Sequence, residues 1–320
     1  MVAQKWQQDI ITKKGQRPEK KAPKLKKRRF DDIVISLFVY ATLIFVAFTT
    51  LYPFWNALVI SFNDGFDAAN GGITVWPRVF TLDNYRLVFA DSRLLNSLGI
   101  SIARTAVGTL ISMVVTGMMG YALSKKYLIG RKLYMTLCII TLYFGGGLIP
   151  TYLLIRNLGM INTFWVLVLP SAVNIWNMII FRTFFQNLPT SLEESARVDG
   201  CNHITMFLRI VFPLSSPVFA TLGLFTAVTY WNSWFDASIY ITRDNLLPMQ
   251  NLLINIINSA IPPDQMRQIG GAAGNVHMAG VTQRSLMMAT MMIAVLPIVL
   301  AYPFIQKYFV KGVLVGSLKE

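Results

Sequence analysis

Pro189-Thr190-Ser191-Leu192-Glu193-Glu194-Ser195-Ala196-Arg197-Val198-Asp199-Gly200-Cys201-Asn202-His203, running on to Ile210-Val211-Phe212-Pro213, is a polar island between two long apolar runs. Pro189 and Ser191 mark a helix start, and Ser191 with Glu194 has the spacing of a capping box. Gly200 predicts a helix end in the left-handed region, where a missing Cβ removes the steric penalty. Asn202 is placed to cap a second short helix containing His203 to Arg209. Leu192, Ser195, Ala196 and Asp199 share one face at helical spacing, and the small residues on it suit close approach by another protein. Glu193 and Arg197 are spaced for an i, i+4 ion pair on the other side. Asp199 opposes the helix dipole, so a gain from accepting amides across the turn would explain it. The local pattern alone is also that of an ordinary exposed helical hairpin.

On both sides of this island the chain is built for lipid. Of 320 residues, 54% are hydrophobic and 14% charged, against roughly a quarter charged in a soluble domain. Apolar runs of about 20 residues recur, each long enough to cross a bilayer as a helix. Backbone groups in hydrocarbon must pair within their own segment, which predicts an all-α membrane protein, and the short alternating segments of a β-barrel are missing. The spacing predicts six spans, at about 33–60, 95–123, 133–155, 163–185, 207–230 and 286–309. Pro53, Pro213 and Pro217 mark the weakest helical positions. The segment 246–261 is apolar but interrupted by Asn251, Asn255 and Asn258, and predicts an amphipathic helix outside the membrane.

The net charge of +14 is unevenly placed. Eleven Lys or Arg fall in the first 29 residues, directly before the first apolar run. This predicts a basic tail over 1–32 held near anionic headgroups, or simply solvated, rather than a nucleic-acid surface. With the amino terminus in the cytoplasm, four cations lie in 124–132, three in 182–209 and three at the carboxyl end; seven face the other side. The bias predicts that both termini are cytoplasmic. Trp76, Tyr85, Trp231, Trp234 and Phe235 fall in the two long outer loops, 61–94 and 231–285, either as an interfacial belt or as a docking or sugar-stacking surface.

Several functions are disfavoured. Ion-coupled transport needs ionisable groups within the spans. Arg104 is the single clear one, placed either to pair with a neighbouring helix or to line a substrate path. A P-loop requires Gly-Lys, a dipeptide this sequence lacks. Cys138 and Cys201, and His203 and His277, have no metal-ligand spacing, and no catalytic cluster emerges. Any energy from ATP must therefore arrive from another polypeptide.

At 194–213 the chain resembles the permease subunits of bacterial binding-protein-dependent ABC importers, whose cytoplasmic loop reads Glu-Ala-Ala, three residues, Gly, nine residues, Ile, one residue, Leu-Pro. Here Ser195 replaces Ala and Phe212 replaces Leu. Asn96-Ser97, Tyr121-Ala122-Leu123-Ser124, Asp199, Trp231-Asn232, Leu247-Pro248 and the ending Gly312-Val-Leu-Val-Gly316-Ser-Leu-Lys319 are similar to the carbohydrate-uptake branch related to the maltose permeases. The resemblance covers about 33–320. It implies a type I importer fold in a bacterial plasma membrane and a non-catalytic subunit, with carbohydrate, and oligosaccharide in particular, as substrate. It also implies a sister permease, two cytoplasmic ATPase subunits that hold ATP and Mg, and an external solute-binding protein. The 189–203 segment would be the coupling helix, with Glu193, Glu194, Ser195, Ala196, Asp199 and Gly200 as its contact residues. Arg104, Trp231, Asn232 and Trp234 become candidates for the substrate path or for docking of the binding protein. No metal or cofactor is expected on this chain. A permease for another solute, or an ion-coupled transporter, is the alternative.

Overall fold

A computed structural model describes residues 30–73, 75–258 and 280–317. The basic tail up to residue 29, His277 and Lys319 lie outside the described residues. The chain divides into two units, residues 1–54 and 55–320. Among the described residues the regular structure is helical, with one isolated bridge pairing Asn63 and Phe80.

The helices are α1 Phe30–Ser61, α2 Gly65–Ala69, α3 Asp83–Ala90, α4 Ser92–Ser124, α5 Arg131–Tyr143, α6 Leu148–Asn157, α7 Ile175–Gln186, α8 Thr190–Val198, α9 His203–Met206, α10 Ser216–Asn232, α11 Phe235–Tyr240, α12 Met249–Asn258 and α13 Gln283–Ser317. A π turn over Phe207–Val211 and a short helix, Phe212–Leu214, continue α9. Three stretches are long and apolar enough to cross a membrane unbroken: Val34–Ser61, Ser92–Ser124 and Gln283–Leu300.

The other three expected spans are not continuous. Arg131–Tyr143 and Leu148–Asn157 pass the same test only as a pair bent by 114°, Phe164–Ser171 with Ile175–Gln186 as a pair bent by 49°, and His203–Leu214 with Ser216–Asn232 as a pair bent by 86°. Each break has a chemical cause. The first falls at Gly145-Gly146-Gly147, where Gly147 has φ 81° and glycine costs about 1 kcal/mol per helical position. The second combines Pro170 with Asn174, whose side chain caps α7 by accepting from the Asn177 amide at 2.9 Å. The third falls at Ser215, between Pro213 and Pro217, where a kink is expected from sequence. Pro53, by contrast, lies inside α1 without ending it.

In the unit 55–320, α4 is the central post, packed against α7 and α10. Lipid supplies no hydrophobic force between membrane helices, so association depends on close packing and polar contacts. Glycines on α4 provide that closeness: a Cβ on Gly117 would stand 2.8 Å from the Phe219 ring, and one on Gly120 2.8 Å from the Phe181 Cβ. Phe181, Phe185, Phe207 and Phe219 fill the space beside them with Tyr121 and Val211. The amphipathic segment forms α12, which buries Met249 and Leu252 against α13 residues Leu286 and Ala289.

Candidate functional site

The hairpin at 189–206 forms as two helices around a glycine turn. Gly200 sits at φ 78°. Its amide donates to Arg197 O at 3.0 Å, and the Cys201 amide donates to Ala196 O at 2.9 Å. This pair of bonds is a Schellman motif, which satisfies carbonyls that the end of α8 would leave open. Asn202 caps α9, its Oδ1 accepting from the Thr205 amide at 2.8 Å. The start of α8 differs from the capping box read in the sequence. Pro189 is the N-cap residue, with no side-chain cap bond, and Ser191 lies inside the helix. The fixed φ of Pro189 suffices to set the chain direction there.

The expected Glu193–Arg197 pair is also replaced. Glu193 accepts from Lys125 Nζ, at the residue that ends α4. Arg197 instead lies over the Tyr127 ring, 4.8 Å from its centroid. Lys125 Nζ stands 4.1 Å from the Tyr121 centroid, and Tyr127 stacks on His203 at 6.1 Å. Tyr127 thus touches residues from both arms of the hairpin, while Lys125 ties the first arm to α4. The side chains of Lys125 and Glu193 are only 11% and 16% exposed, so both charges are largely withdrawn from water and each depends on its partner.

The predicted contact residues then separate into two groups. Glu193 and Ala196 turn into the chain, Ala196 being buried. Glu194, Ser195, Asp199 and Gly200 are exposed, as is Leu192. Asn202, rather than Asp199, supplies the acceptor for an amide of α9.

At the other end of α4, Arg104 is 1% exposed and its guanidinium is engaged on every side. It donates through Nε to Leu167 O at 2.9 Å, through Nη1 to Ser233 O at 2.9 Å, and through Nη2 to Asp236. Asp236 Oδ1 accepts from Ser233 Oγ and from its neighbour's amide, the Ala237 N–H, both at 2.9 Å. Arg104 is therefore a tie between α4, the turn Phe164–Leu167 and the loop that opens α11. Trp231 is buried as well, its Nε1 donating to Ala294 O of α13 at 3.1 Å. Asn232 and Trp234 are exposed, and these two of the four stand on the surface. Among the described residues no group of His, Cys, Asp or Glu has the arrangement of a metal site.

Sequence reasoning missed Lys125, Tyr127 and Asp236. Two of them had a signal: Lys125 is the first charge after a long apolar run, and Asp236 is the lone acid in the Trp231–Tyr240 stretch.

The chain belongs to the family described as binding-protein-dependent transport system inner membrane component, which matches residues 26–315. It is a membrane component of an ABC importer, of the permease type. Among similar proteins, the polygalacturonan/rhamnogalacturonan transport system permease protein YtcP of Bacillus subtilis is 39% identical over 297 residues, covering 92% of this chain and 100% of that one. Protein LplC of the same organism is 42% identical over 270 residues, 84% of this chain and 90% of its own. The arabinooligosaccharides transport system permease protein AraQ of Halalkalibacterium halodurans is 29% identical over 284 residues, 86% and 93% of the two chains. In three dimensions, the crystal structure of a bacterial ABC transporter that imports the acidic polysaccharide alginate contains a similar chain. The TM-score is 0.81 at 26% identity, covering 88% of this chain and 98% of that one.

Proposed function

We propose that this chain is one of two permease subunits of an ATP-driven oligosaccharide importer, with six passes, both termini in the cytoplasm, and its 189–206 hairpin seated on an ATPase subunit. The observation that carries the coupling role is the way the hairpin is mounted. Its inner side is fixed to the end of α4 through Lys125–Glu193 and Tyr127, while the side chains of Glu194, Ser195 and Asp199 are exposed and have no partner among the described residues. A push on that outer face is delivered to α4, the helix on which α7 and α10 pack. ATP and Mg belong to the partner subunits in this reading, since the chain carries no phosphate-cradling loop.

The broken spans support a transport path. Non-helical backbone at membrane depth is tolerated where it is covered by protein or lines a watery cavity. Gly145, Gly146 and Gly147 are exposed, and a Cβ on any of them would meet nothing within 4 Å. That open backbone suits a surface completed by a sister permease and used by a hydroxyl-rich solute. The exposed Asn232 and Trp234 suit docking of an external solute-binding protein. The sugar assignment rests on the named relatives, three of which concern large saccharides.

Uptake of a labelled oligosaccharide by cells carrying the intact operon tests this reading. Accumulation is expected to stop on ATP depletion and to persist when an uncoupler is added at clamped ATP. Loss with the uncoupler alone would instead assign ion coupling.

A further inference from the structure

Where the end of α4 meets the hairpin there is a cavity of about 310 Å³, with Met118, Leu128, Ile204 and Phe207 among its walls and Lys125, His203 and the phenols of Tyr121 and Tyr127 as its polar lining. Apolar cavities of about half that volume stay dry and take up hydrocarbon. This one lies where a 33-residue apolar helix ends and a charged loop begins, which is the level of a bilayer's headgroups.

The surroundings carry more positive charge than they use. Glu193 neutralises Lys125. Lys126, Arg131 and Lys132 follow within eight positions of the helix end, and among the described residues none has a carboxylate partner. Lys126 and Lys132 are exposed. Apolar walls beside unpaired cations at a membrane boundary match a molecule with an acyl chain and an anionic head. A cytosolic metabolite would leave the walls unused, and a neutral lipid would leave the cations unpaired.

We infer that this cavity seats an acyl chain of one anionic phospholipid, with its headgroup beside Lys126 and Lys132. The walls come from α4, from the loop after it and from α9, so a bound chain braces the hairpin against α4. Lipid binding does not depend on the hairpin's coupling role; only its effect on ATP turnover does.

The test uses the whole complex, reconstituted in phosphatidylcholine alone or with one quarter phosphatidylglycerol. Native mass spectrometry counts retained lipid. Wild type is expected to keep one phosphatidylglycerol that Ala122→Trp, which places an indole in the cavity, no longer holds, with subunit composition unchanged. Stimulated ATPase should be higher with phosphatidylglycerol in wild type and lose that difference in the variant. Equal retention in both proteins overturns the inference. So does release of the ATPase subunits by Ala122→Trp in either lipid, which would mean a protein segment fills the cavity. Should Ala122→Trp fail to insert, the paired Lys126→Glu and Lys132→Glu variant leaves the cavity intact. It must lose the retained phosphatidylglycerol, and unchanged retention overturns the inference equally.

Discussion

Lys125 and Glu193 are 68 positions apart and form an ion pair that joins the residue capping the end of a membrane-length helix to the first turn of the polar hairpin. Their side chains are nearly covered, so reversing one charge leaves two like charges in a poorly hydrated place. Lys125→Glu and Glu193→Lys are each expected to reduce uptake strongly, and the double exchange to recover part of it. Groups in direct contact typically couple by about 0.5–3 kcal/mol. Four uptake measurements complete the cycle, and strictly additive losses would show that the pair carries no coupling.

Arg104 and Asp236 set a second, structural expectation. Removing one member of a buried ion pair costs about 3–5 kcal/mol because the survivor stays charged and unpaired. Arg104→Ala and Asp236→Ala should each lower the thermal unfolding temperature of the purified complex, and the double variant should fall by less than their sum. Arg104→Lys is expected to be nearly as harmful as Arg104→Ala, since a single ammonium cannot reproduce three donors aimed at Leu167, Ser233 and Asp236. A lowered affinity for sugar with unchanged thermal stability would return Arg104 to the substrate path.

The charge distribution predicts an orientation that chemical labelling can check. With Cys138 and Cys201 replaced by serine, a cysteine at Lys126 should resist an impermeant thiol reagent in intact cells and react after the membrane is opened. A cysteine at Asn245, in the opposite loop, should react in intact cells. Labelling at 126 in intact cells would invert the topology.

The parts of the fold readable in the sequence were those decided within a few residues. Gly200 and Asn202 define a turn through their own backbone and side-chain preferences, and both behave as their chemistry requires. Hydropathy located the membrane-length runs but averaged over their interruptions. Gly145-Gly146-Gly147 sits among Leu, Tyr, Phe and Ile, so the window stays apolar while the helix breaks. The ion pairs were hidden for a different reason. Glu193 had an i, i+4 partner in Arg197 on its own helix, and only the approach of the α4 end offered Lys125 instead. Asp236 lies 132 positions from Arg104, a separation at which no local pattern links them.

The central claim is that the outer face of the hairpin receives force from an ATPase. Gly200→Val tests it with little disturbance elsewhere, because a Cβ at Gly200 meets nothing within 4 Å and the cost arises from its φ of 78°. That strain is about 1–2 kcal/mol, enough to tilt α9 relative to α8. Glu194→Lys changes the exposed face and leaves the turn alone. The measurement is substrate-stimulated ATPase of the purified complex, with uptake and subunit retention recorded on the same preparations. Both variants are expected to insert normally, lose stimulation and uptake, and shed ATPase subunits during purification. Wild-type stimulation and uptake with full retention in both would contradict the coupling role.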